Sequence, residues 1–232
     1  MTVSPSHGHL LPSVDILDTG TAYQIRRIFC VGRNYAEHAA EMGAEVDREA
    51  PFYFTKSAFA FAKSGSTIAY PPGTENLHHE VELVVAIGMP VFKCNENEAR
   101  ATVHAYGCGL DMTRRDLQQV AKDKRRPWDT GKDFENSAIL SPMISTTKAG
   151  PLTGKRIHLN VNDKEQQSAL LDDMVWSVEE IIAHLSTLYH LSPGDLIMTG
   201  TPAGVGPVKS GDRLKGGIDG LPGISLVIGD AE

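Results

Sequence analysis

Short apolar runs, separated by glycine and proline, constrain the fold of this 232-residue chain more than any other feature. Residues 28–31, 67–70 and 77–87 are aliphatic, β-branched or aromatic over most of their length, and each run stops at a glycine or proline, which is typical of β-strands. Because the strands do not alternate regularly with helices, a doubly wound sheet is disfavoured and an α+β or mostly-β mixed fold is predicted. Further strands are predicted at residues 52–54, 105–112, 157–161 and 196–198, with a hairpin after residue 212.

Helical patterns are few. Ser177 and Glu180 form a capping box, and apolar residues follow them at helical spacing. A weaker capping box is predicted at Thr113 and Asp116, because aspartate replaces the usual glutamate at the third helical position. The sequence thus predicts helices at residues 34–42, 96–103, 113–122 and 177–189.

Charge and cysteine content exclude several classes of protein. The chain has 22 basic and 29 acidic residues, a net charge of −7, which disfavours nucleic acid as a partner. No window approaches 18 consecutive apolar residues, so no membrane span is expected. Cys30, Cys94 and Cys108 form no CxxC pair, and an odd number fits no closed set of disulfides, so a cytoplasmic location is expected.

The first residues differ from the rest of the chain. Residues 1–20 are predicted to be a polar, weakly ordered leader, without the basic and apolar regions of a signal peptide. We divide the chain into an N-terminal leader segment, 1–24, and a domain at 25–232. A domain of this length can bury a stable core without disulfides or a structural metal.

Two glutamates, Glu80 and Glu82, interrupt the start of the apolar run 77–87. In a strand, residues i and i+2 share a face with Cα atoms about 6.5 Å apart, so both carboxylates would lie on the face of Val84 and Ala86. Two such carboxylates repel each other unless a cation lies between them, and a hard divalent ion accepts their oxygens. The alternative is an exposed edge strand with two solvated glutamates.

Asp111, at the end of the predicted strand 105–112, is a third candidate ligand. It could instead cap the following helix, but Thr113 can take that role. Two glutamates and one aspartate suit Mg²⁺ or Mn²⁺, whereas zinc is disfavoured because cysteine and histidine are not grouped at chelating spacings. His78 and His79 point to opposite faces and cannot chelate together, although one of them could support a ligand.

Five other polar residues are candidates for catalysis or substrate binding. His38 and Glu41 share a face of a predicted helix, and a carboxylate beside an imidazole could help it deprotonate water. Arg115, Gln118 and Lys132 could supply positive charge or hydrogen-bond donors. An ordinary surface location is the alternative for all five.

The glycine-rich loop at 200–206 could bind an anion. Its backbone N–H groups, beginning with Gly200, and the Thr201 hydroxyl could contact a carboxylate. The loop has neither a P-loop lysine nor the GxGxxG order, so it is not interpreted as a nucleotide site. The basic stretch 122–126 is either a solvated helix end or a region that attracts an anionic substrate.

Five motifs follow one another in a fixed order: CVGRNYAEH at 30–38, LHHEVE at 77–82, GLDMTRRDLQ at 109–118, PWDTGK at 127–132 and PGDLIMTGTPAGVG at 193–206. Together they resemble the fumarylacetoacetate hydrolase family, and most closely its short, single-domain branch of acylpyruvate hydrolases. The resemblance extends from about residue 25 to the end of the chain. Five ordered motifs are far more specific than any one of them.

The resemblance implies a fold and a set of roles. The fold is a mixed β-roll of the fumarylacetoacetase C-terminal-domain type with a few flanking helices, in a catalytic domain at 25–232 that forms a homodimer. Metal ligands are implied at Glu80, Glu82 and Asp111, which would bind Mg²⁺ or Mn²⁺. A water-activating pair is implied at His38 and Glu41, on a lid over the substrate. Substrate-orienting and charge-stabilising positions are implied at Arg115, Gln118, Lys132 and Thr201.

The implied activity is hydrolysis of a carbon–carbon bond in a small 2,4-dioxo acid, an acylpyruvate, with release of pyruvate. The nearest branch acts on fumarylpyruvate in bacterial gentisate degradation, a route of aromatic compound catabolism. Oxaloacetate decarboxylation or keto–enol tautomerisation, and a non-catalytic binding protein, remain as alternatives. A fumaryl group needs a cation at its far end, and the candidates are Arg33, Lys56, Lys63 and the stretch 122–126.

Overall fold

The computed structural model describes residues 11–43 and 48–231. Within these ranges the strands are β1 (Ser13–Ile16), β2 (Thr21–Gln24), β3 (Arg27–Gly32), β4 (Phe52–Lys56), β5 (Phe61–Lys63), β6 (Thr67–Tyr70), β7 (Leu77–His79), β8 (Val81–Ile87), β9 (Val103–Asp111), β10 (Thr113–Arg114), β11 (Ala138–Leu140), β12 (Ile144–Ser145), β13 (Arg156–Val161), β14 (Lys164–Leu170), β15 (Asp195–Met198), β16 (Gly206–Val208), β17 (Arg213–Ile218) and β18 (Ile224–Ala231). The helices are α1 (Ala36–Glu41), α2 (Glu96–Thr102), α3 (Arg115–Asp123), α4 (Asp129–Lys132), α5 (Thr146–Ala149) and α6 (Val178–Leu188).

A mixed sheet of eight strands lies at the centre of the molecule. Seven of its strands follow the order β4-β3-β15-β8-β9-β11-β5, and β12 pairs separately with β9. The β15–β3 and β11–β5 pairs are parallel, whereas β8 is antiparallel to both of its neighbours. A five-stranded sheet, β14-β13-β17-β18-β6, and a three-stranded sheet, β10-β7-β16, accompany it. The predicted α+β fold with a mixed β-roll and few helices is confirmed.

Strand β8 is buried on both faces, which explains its almost continuous apolar sequence. Leu83, Val85 and Ile87 pack into one core cluster with residues of the five-stranded sheet and α6. Val84 and Ala86 pack into a second cluster on the opposite face. The central sheet is therefore covered on both sides over this strand.

The hairpin of β1 and β2 covers the second face. Val14, Ile16 and Tyr23 are buried there beside Val84, and the Tyr23 hydroxyl donates to the Ile87 carbonyl at 2.8 Å. The weakly ordered leader predicted for residues 1–20 is therefore wrong over residues 13–20. Residues 1–10 lie outside the described residues, and the division of the chain after residue 24 stays a prediction.

The single strand predicted at residues 77–87 is in fact two strands. β7 pairs with β10 and β16, whereas β8 pairs with β9 and β15, and the chain passes from one sheet to the other at Glu80. Local sequence does not mark this break, because both halves have strand-forming residues. The position of the break is determined by the strands that pair with β7 and with β8.

The capping box predicted at Thr113 is also wrong. Thr113 pairs with His78 in β10, and α3 begins after Arg114 without a side-chain cap. Asp116 instead accepts hydrogen bonds from Thr74 Oγ1 at 2.6 Å and from the Glu75 N–H at 3.0 Å. Pairing with a strand 35 residues away in sequence therefore outweighs the local capping signal.

The capping box at Ser177 is confirmed. Ser177 Oγ accepts from the Glu180 N–H at 3.3 Å, and Glu180 Oε2 accepts from the Ser177 N–H at 2.8 Å. Cys30, Cys94 and Cys108 are free thiols. Among the helices of the described residues, none has the length and apolar character needed to cross a bilayer.

Candidate active site

Three buried carboxylates converge where β8 and β9 approach the break at Glu80. The Asp111 N–H donates to the Glu80 carbonyl at 2.8 Å, so pairing with β9 continues past the break, and Glu82 lies opposite Gly109. One oxygen each of Glu80, Glu82 and Asp111 lies within 4.8 Å of the others. Because β8 is central and fully buried, the alternative of an exposed edge strand is wrong. Asp111 does not cap α3 either.

Two lysine ammonium groups lie against these carboxylates. Lys132 Nζ donates to Glu80 Oε2 at 2.7 Å, to Asp111 Oδ2 at 2.6 Å and to Thr113 Oγ1 at 2.8 Å. Lys56 Nζ lies 2.8 Å from Asp111 Oδ1, as a charge contact rather than an aligned hydrogen bond. All of these lysine atoms are buried, so their charges are weakly screened.

Charge is distributed unevenly over the three carboxylates. Burial acts to raise the pKa of Glu80, but Lys132 and Arg115 outweigh it and hold that pKa well below its usual range. Burial raises the pKa of Glu82, and the negative charges of Asp111 and Glu80 raise it further. The positive charge near the triad thus compensates Glu80 and Asp111 but does not suffice to keep Glu82 ionised as well.

The donor set fits a hard divalent cation. All three side chains offer oxygen, and Glu82 accepts a single hydrogen bond among the described residues, from the Gly200 N–H to Oε2 at 2.7 Å. A buried carboxylate with a free oxygen and a raised pKa is stabilised by a nearby cation, and carboxylate oxygens suit Mg²⁺ and Mn²⁺. Glu80, Glu82 and Asp111 are therefore the residues that would hold the metal.

The pair on α1 faces the same cleft. His38 is buried, its Nδ1 lies 3.4 Å from Glu41 Oε2, and Glu41 accepts the Gly204 N–H at 3.1 Å. The alternative of an ordinary surface pair is therefore wrong for His38. Burial lowers the pKa of His38, although Glu80 and Glu41 act in the opposite direction. A neutral imidazole at neutral pH can accept a proton.

Arg115 and Gln118 extend from α3 towards the carboxylates. Arg115 donates to Glu80 Oε1, and its Nη1 donates to Gln118 Oε1 at 2.7 Å. Gly131 lets α4 pack closely against α3, because a Cβ at that position would lie only 2.8 Å from the Gln118 backbone nitrogen. The close contact of α3 and α4 thus brings Lys132 beside Arg115.

One cleft collects most of the residues predicted from the sequence. Its lining includes Arg33, His38, Glu80, Glu82, Arg115, Gln118, Lys132 and Thr201. Gly200 was predicted to bind substrate through its N–H group, but that group donates to Glu82 instead. Lys56 was a candidate for the far end of the substrate, and its contact with Asp111 rules out that role.

Gln167 is a site residue that the sequence did not reveal. Its Oε1 accepts the Val81 N–H at 3.1 Å and lies 3.0 Å from His79 Nδ1, and its Nε2 donates to Thr201 Oγ1 at 2.8 Å. The fully buried amide therefore fixes Thr201 relative to β8. Its only sequence signal is that it belongs to the polar run 162–168, and such runs are too common to indicate a function.

The comparisons with known proteins identify the family of the chain. The family model described as fumarylacetoacetate (FAA) hydrolase C-terminal matches residues 27–228. The chain belongs to the fumarylacetoacetate hydrolase family, which confirms the resemblance found in the sequence.

Three relatives are informative. The chain is 52% identical to a fumarylpyruvate hydrolase from Ralstonia sp over 193 residues, which cover 82% of this chain and 100% of that protein. It is 41% identical to a mitochondrial oxaloacetate tautomerase from Mus musculus, over 84% of this chain and 88% of the relative. The crystal structure of fumarylpyruvate hydrolase from Pseudomonas aeruginosa in complex with Mn²⁺ and pyruvate is 41% identical, with a TM-score of 0.92 over 99% of both chains.

Proposed function

We propose that this protein is a metal-dependent hydrolase that cleaves the C3–C4 bond of fumarylpyruvate to give fumarate and pyruvate. The observation that carries the proposal is the buried triad of Glu80, Glu82 and Asp111 in one site with the His38–Glu41 pair. The similarity to fumarylpyruvate hydrolases selects the substrate among acylpyruvates.

Each part of the site has a chemical task. Glu80, Glu82 and Asp111 would hold a divalent ion, which would supply Lewis-acid polarisation of the 2-oxo group of the substrate. Arg115 and the Thr201 hydroxyl orient the substrate carboxylate, since both side chains line the cleft. Gln118 and Lys132 lie beside the triad and stabilise the oxyanion that forms at C4.

His38 and Glu41 activate water. When His38 Nδ1–H donates to Glu41, its Nε2 is free to accept a proton from water, and the hydroxide attacks C4. The C3–C4 bond then breaks, its electron pair passes to C3, and C3 takes up the proton held by His38. The proton taken from water ends on C3 of pyruvate, and the new carboxyl group at C4 loses its hydroxyl proton to solvent, so the products are one pyruvate and one fumarate.

Oxaloacetate keto–enol tautomerisation is the second candidate. The similarity to oxaloacetate tautomerases favours it, because that reaction needs a polarised 2-oxo group and a base but no attack by water. Decarboxylation of oxaloacetate would use the same groups. The substrate comparison below separates these activities from hydrolysis.

We also propose the setting of the enzyme. A fumarylpyruvate hydrolase acts in aromatic compound catabolism by the gentisate route, and we expect this one in the cytoplasm as a homodimer. The similarity to the Ralstonia enzyme supports the pathway, and three unpaired thiols are compatible with a reducing compartment. A purified protein that acts on no gentisate-derived dioxo acid would contradict the pathway.

Turnover of fumarylpyruvate, acetylpyruvate and oxaloacetate, each with Mg²⁺, Mn²⁺ or EDTA, tests the proposed function. We expect fumarylpyruvate to be the preferred substrate, with loss of enol absorbance matched by release of pyruvate and abolished by EDTA. The His38→Ala variant should lose about 10²–10⁴-fold in kcat, the usual contribution of general base catalysis. Faster conversion of oxaloacetate than of either acylpyruvate would contradict hydrolysis as the main activity.

A further inference from the structure

The cleft continues away from the carboxylate triad along two aromatic rings. The ring of Phe54 lies 4.8 Å from Lys132 Nζ, and the ring of Trp128 lies 6.0 Å from that of Phe54. Lys122 Nζ lies 5.2 Å from the centre of the Trp128 ring. Phe54, Trp128 and Lys122 all line the same cleft, so it runs from the triad over two apolar surfaces to an ammonium group.

The far end of this cleft is positively charged. Lys122 and Arg33 both line it, and neither forms an ion pair with a carboxylate of residues 11–43 or 48–231. Burial lowers the pKa of Lys122, and the positive charges of Arg115 and Arg33 lower it further, while Glu80 acts in the opposite direction. Several cations therefore face one space, and an anion placed there would be bound.

Arg33 has an unusual backbone conformation at this position. Its φ of 59° lies in the left-handed region, which is strained for a residue with a side chain. Glycine would adopt that conformation without strain. Arg33 is exposed and lines both this cleft and an adjoining cleft that also includes Trp128.

The other candidate cations are excluded by their contacts. Lys56 is buried against Asp111, on the triad side of the cleft. Lys63 is exposed and lies 3.7 Å from Asp15, and neither residue lines the cleft. Of the basic stretch 122–126, Lys122 is the residue that lines it.

We propose that Lys122 and Arg33 bind a second carboxylate at the end of the acyl group remote from the triad. The site thereby selects acylpyruvates that carry a terminal carboxylate on a short, flat spacer, which lies against Phe54 and Trp128. This inference rests on the proposed function, because it assumes that the dioxo end of the substrate lies at the triad. The adjoining rings favour a spacer with little polar surface.

The test compares one substrate that has the second carboxylate with one that lacks it. Values of kcat/KM are measured for fumarylpyruvate and acetylpyruvate in the wild-type protein and in Lys122→Met, Lys122→Arg and Arg33→Gly variants. A charge-assisted hydrogen bond contributes about 1.5–3 kcal/mol, so the ratio of the two values should fall about 10–100-fold in Lys122→Met. Lys122→Arg should keep most of the ratio, and Arg33→Gly should lower it without loss of folding.

Lys124→Met is the matched control, because it removes the same charge from an exposed residue two positions away that does not line the cleft. Thermal midpoints of all variants check folding. An equal loss on both substrates, or an unchanged ratio in Lys122→Met, overturns the proposal for the second carboxylate while leaving hydrolysis intact. A wild-type protein that hydrolyses neither substrate contradicts the proposed function instead.

A binding measurement tests the inference without turnover. Calorimetric titration with fumarate and with crotonate compares a dicarboxylate with a monocarboxylate of the same length. The wild-type protein should bind fumarate more tightly, and Lys122→Met should remove that difference. Equal affinity for the two acids in the wild-type protein would overturn the proposal even if the enzyme had another substrate.

Discussion

At the scale of single residues, two opposing effects act on the pKa of Lys132. Burial acts to lower the pKa of its ammonium group, but Asp111 and Glu80 outweigh it, so the group stays charged. Its position beside two carboxylates partly neutralises the triad. A divalent cation at the triad would share this task, so the stability of the protein should depend on both Lys132 and the metal.

Replacement of Lys132 by methionine tests this shared role. Without metal, the variant leaves Glu80 and Asp111 with less compensating charge, and loss of one partner of a buried ion pair costs about 3–5 kcal/mol of unfolding free energy. Mn²⁺ should recover part of that loss, because it neutralises the same oxygens. Urea unfolding with EDTA and with Mn²⁺ measures both effects.

Lys209→Met serves as the control, since Lys209 is exposed and its replacement should change stability by about 0.5 kcal/mol or less. The kcat of Lys132→Met should also fall by about 10²-fold or more, because the positive charge beside the developing oxyanion is lost. Wild-type stability of this variant in EDTA would show that the ammonium group does not compensate the triad.

At the scale of elements, Asp195 joins the parallel neighbours β15 and β3. Its fully buried carboxylate accepts from Arg26 at 2.9 Å and from Arg27 at 2.7 Å, and it also accepts the Ser192 N–H. β15 leads directly into the loop whose Gly200 N–H binds Glu82. The ion pairs therefore fix the strand that positions one side of the active site.

The contribution of Asp195 to the stability of the folded protein should depend on pH. Burial acts to raise its pKa, but hydrogen bonds from Arg27 and Arg26 outweigh burial and lower it. A folded-state pKa below the unfolded value of about 3.9 stabilises the protein at higher pH, and this stabilisation is lost as the pH falls through the folded-state pKa.

Asp195→Asn should therefore lower the unfolding free energy by about 1–3 kcal/mol at pH 7, since it removes the charge from the hydrogen bonds between a buried carboxylate and two partly exposed arginines. The difference in unfolding free energy between this variant and the wild type should become smaller below a pH of about 4. Urea unfolding across this pH range measures the difference. Asp163→Asn, in an exposed turn, is the control, and a gap that stays constant or widens in acid would contradict the assignment.

At the scale of the whole molecule, β4 lies at one edge of the central sheet, and exposed apolar side chains occur on β4 and at the end of α6. Phe52 of β4 is 42% exposed, Tyr189, which lines a cleft with β4, is 43% exposed, and its neighbour Leu188 is 57% exposed. Exposed apolar patches and unpaired edge strands favour association. Together with the family resemblance, this supports the homodimer that the sequence predicts.

The oligomer is tested by light scattering of the purified protein at micromolar concentration. We expect a mass of about twice the 25.1 kDa of one chain. The measurement should be repeated over a series of tenfold dilutions. It should also be repeated with the Leu188→Ser variant, because loss of an apolar contact weakens a dimer that uses this surface. A mass of one chain at all concentrations would contradict the homodimer.

The candidate residues of the site could be predicted from the sequence, whereas the distant residues that contact and position them could not. Carboxylates at the ends of apolar runs make Glu80, Glu82 and Asp111 candidates, helical spacing makes His38 and Glu41 a candidate pair, and the family resemblance implies their roles. These signals are local, because each depends on residues within a few positions. The contact of Lys56 with Asp111 joins residues 55 positions apart and leaves no local pattern.

The sequence alone determined the α+β composition of the chain and the Ser177 capping box, and it predicted Glu80, Glu82 and Asp111 as metal ligands through residue type and the family resemblance. Tertiary structure alone decided the break at Glu80, the packing of Val14, Ile16 and Tyr23 against the central sheet, and the bridge from Gln167 to Thr201. It also decided which cation of several lines the far end of the cleft. These features depend on which distant segments meet, and only packing of the folded chain determines that.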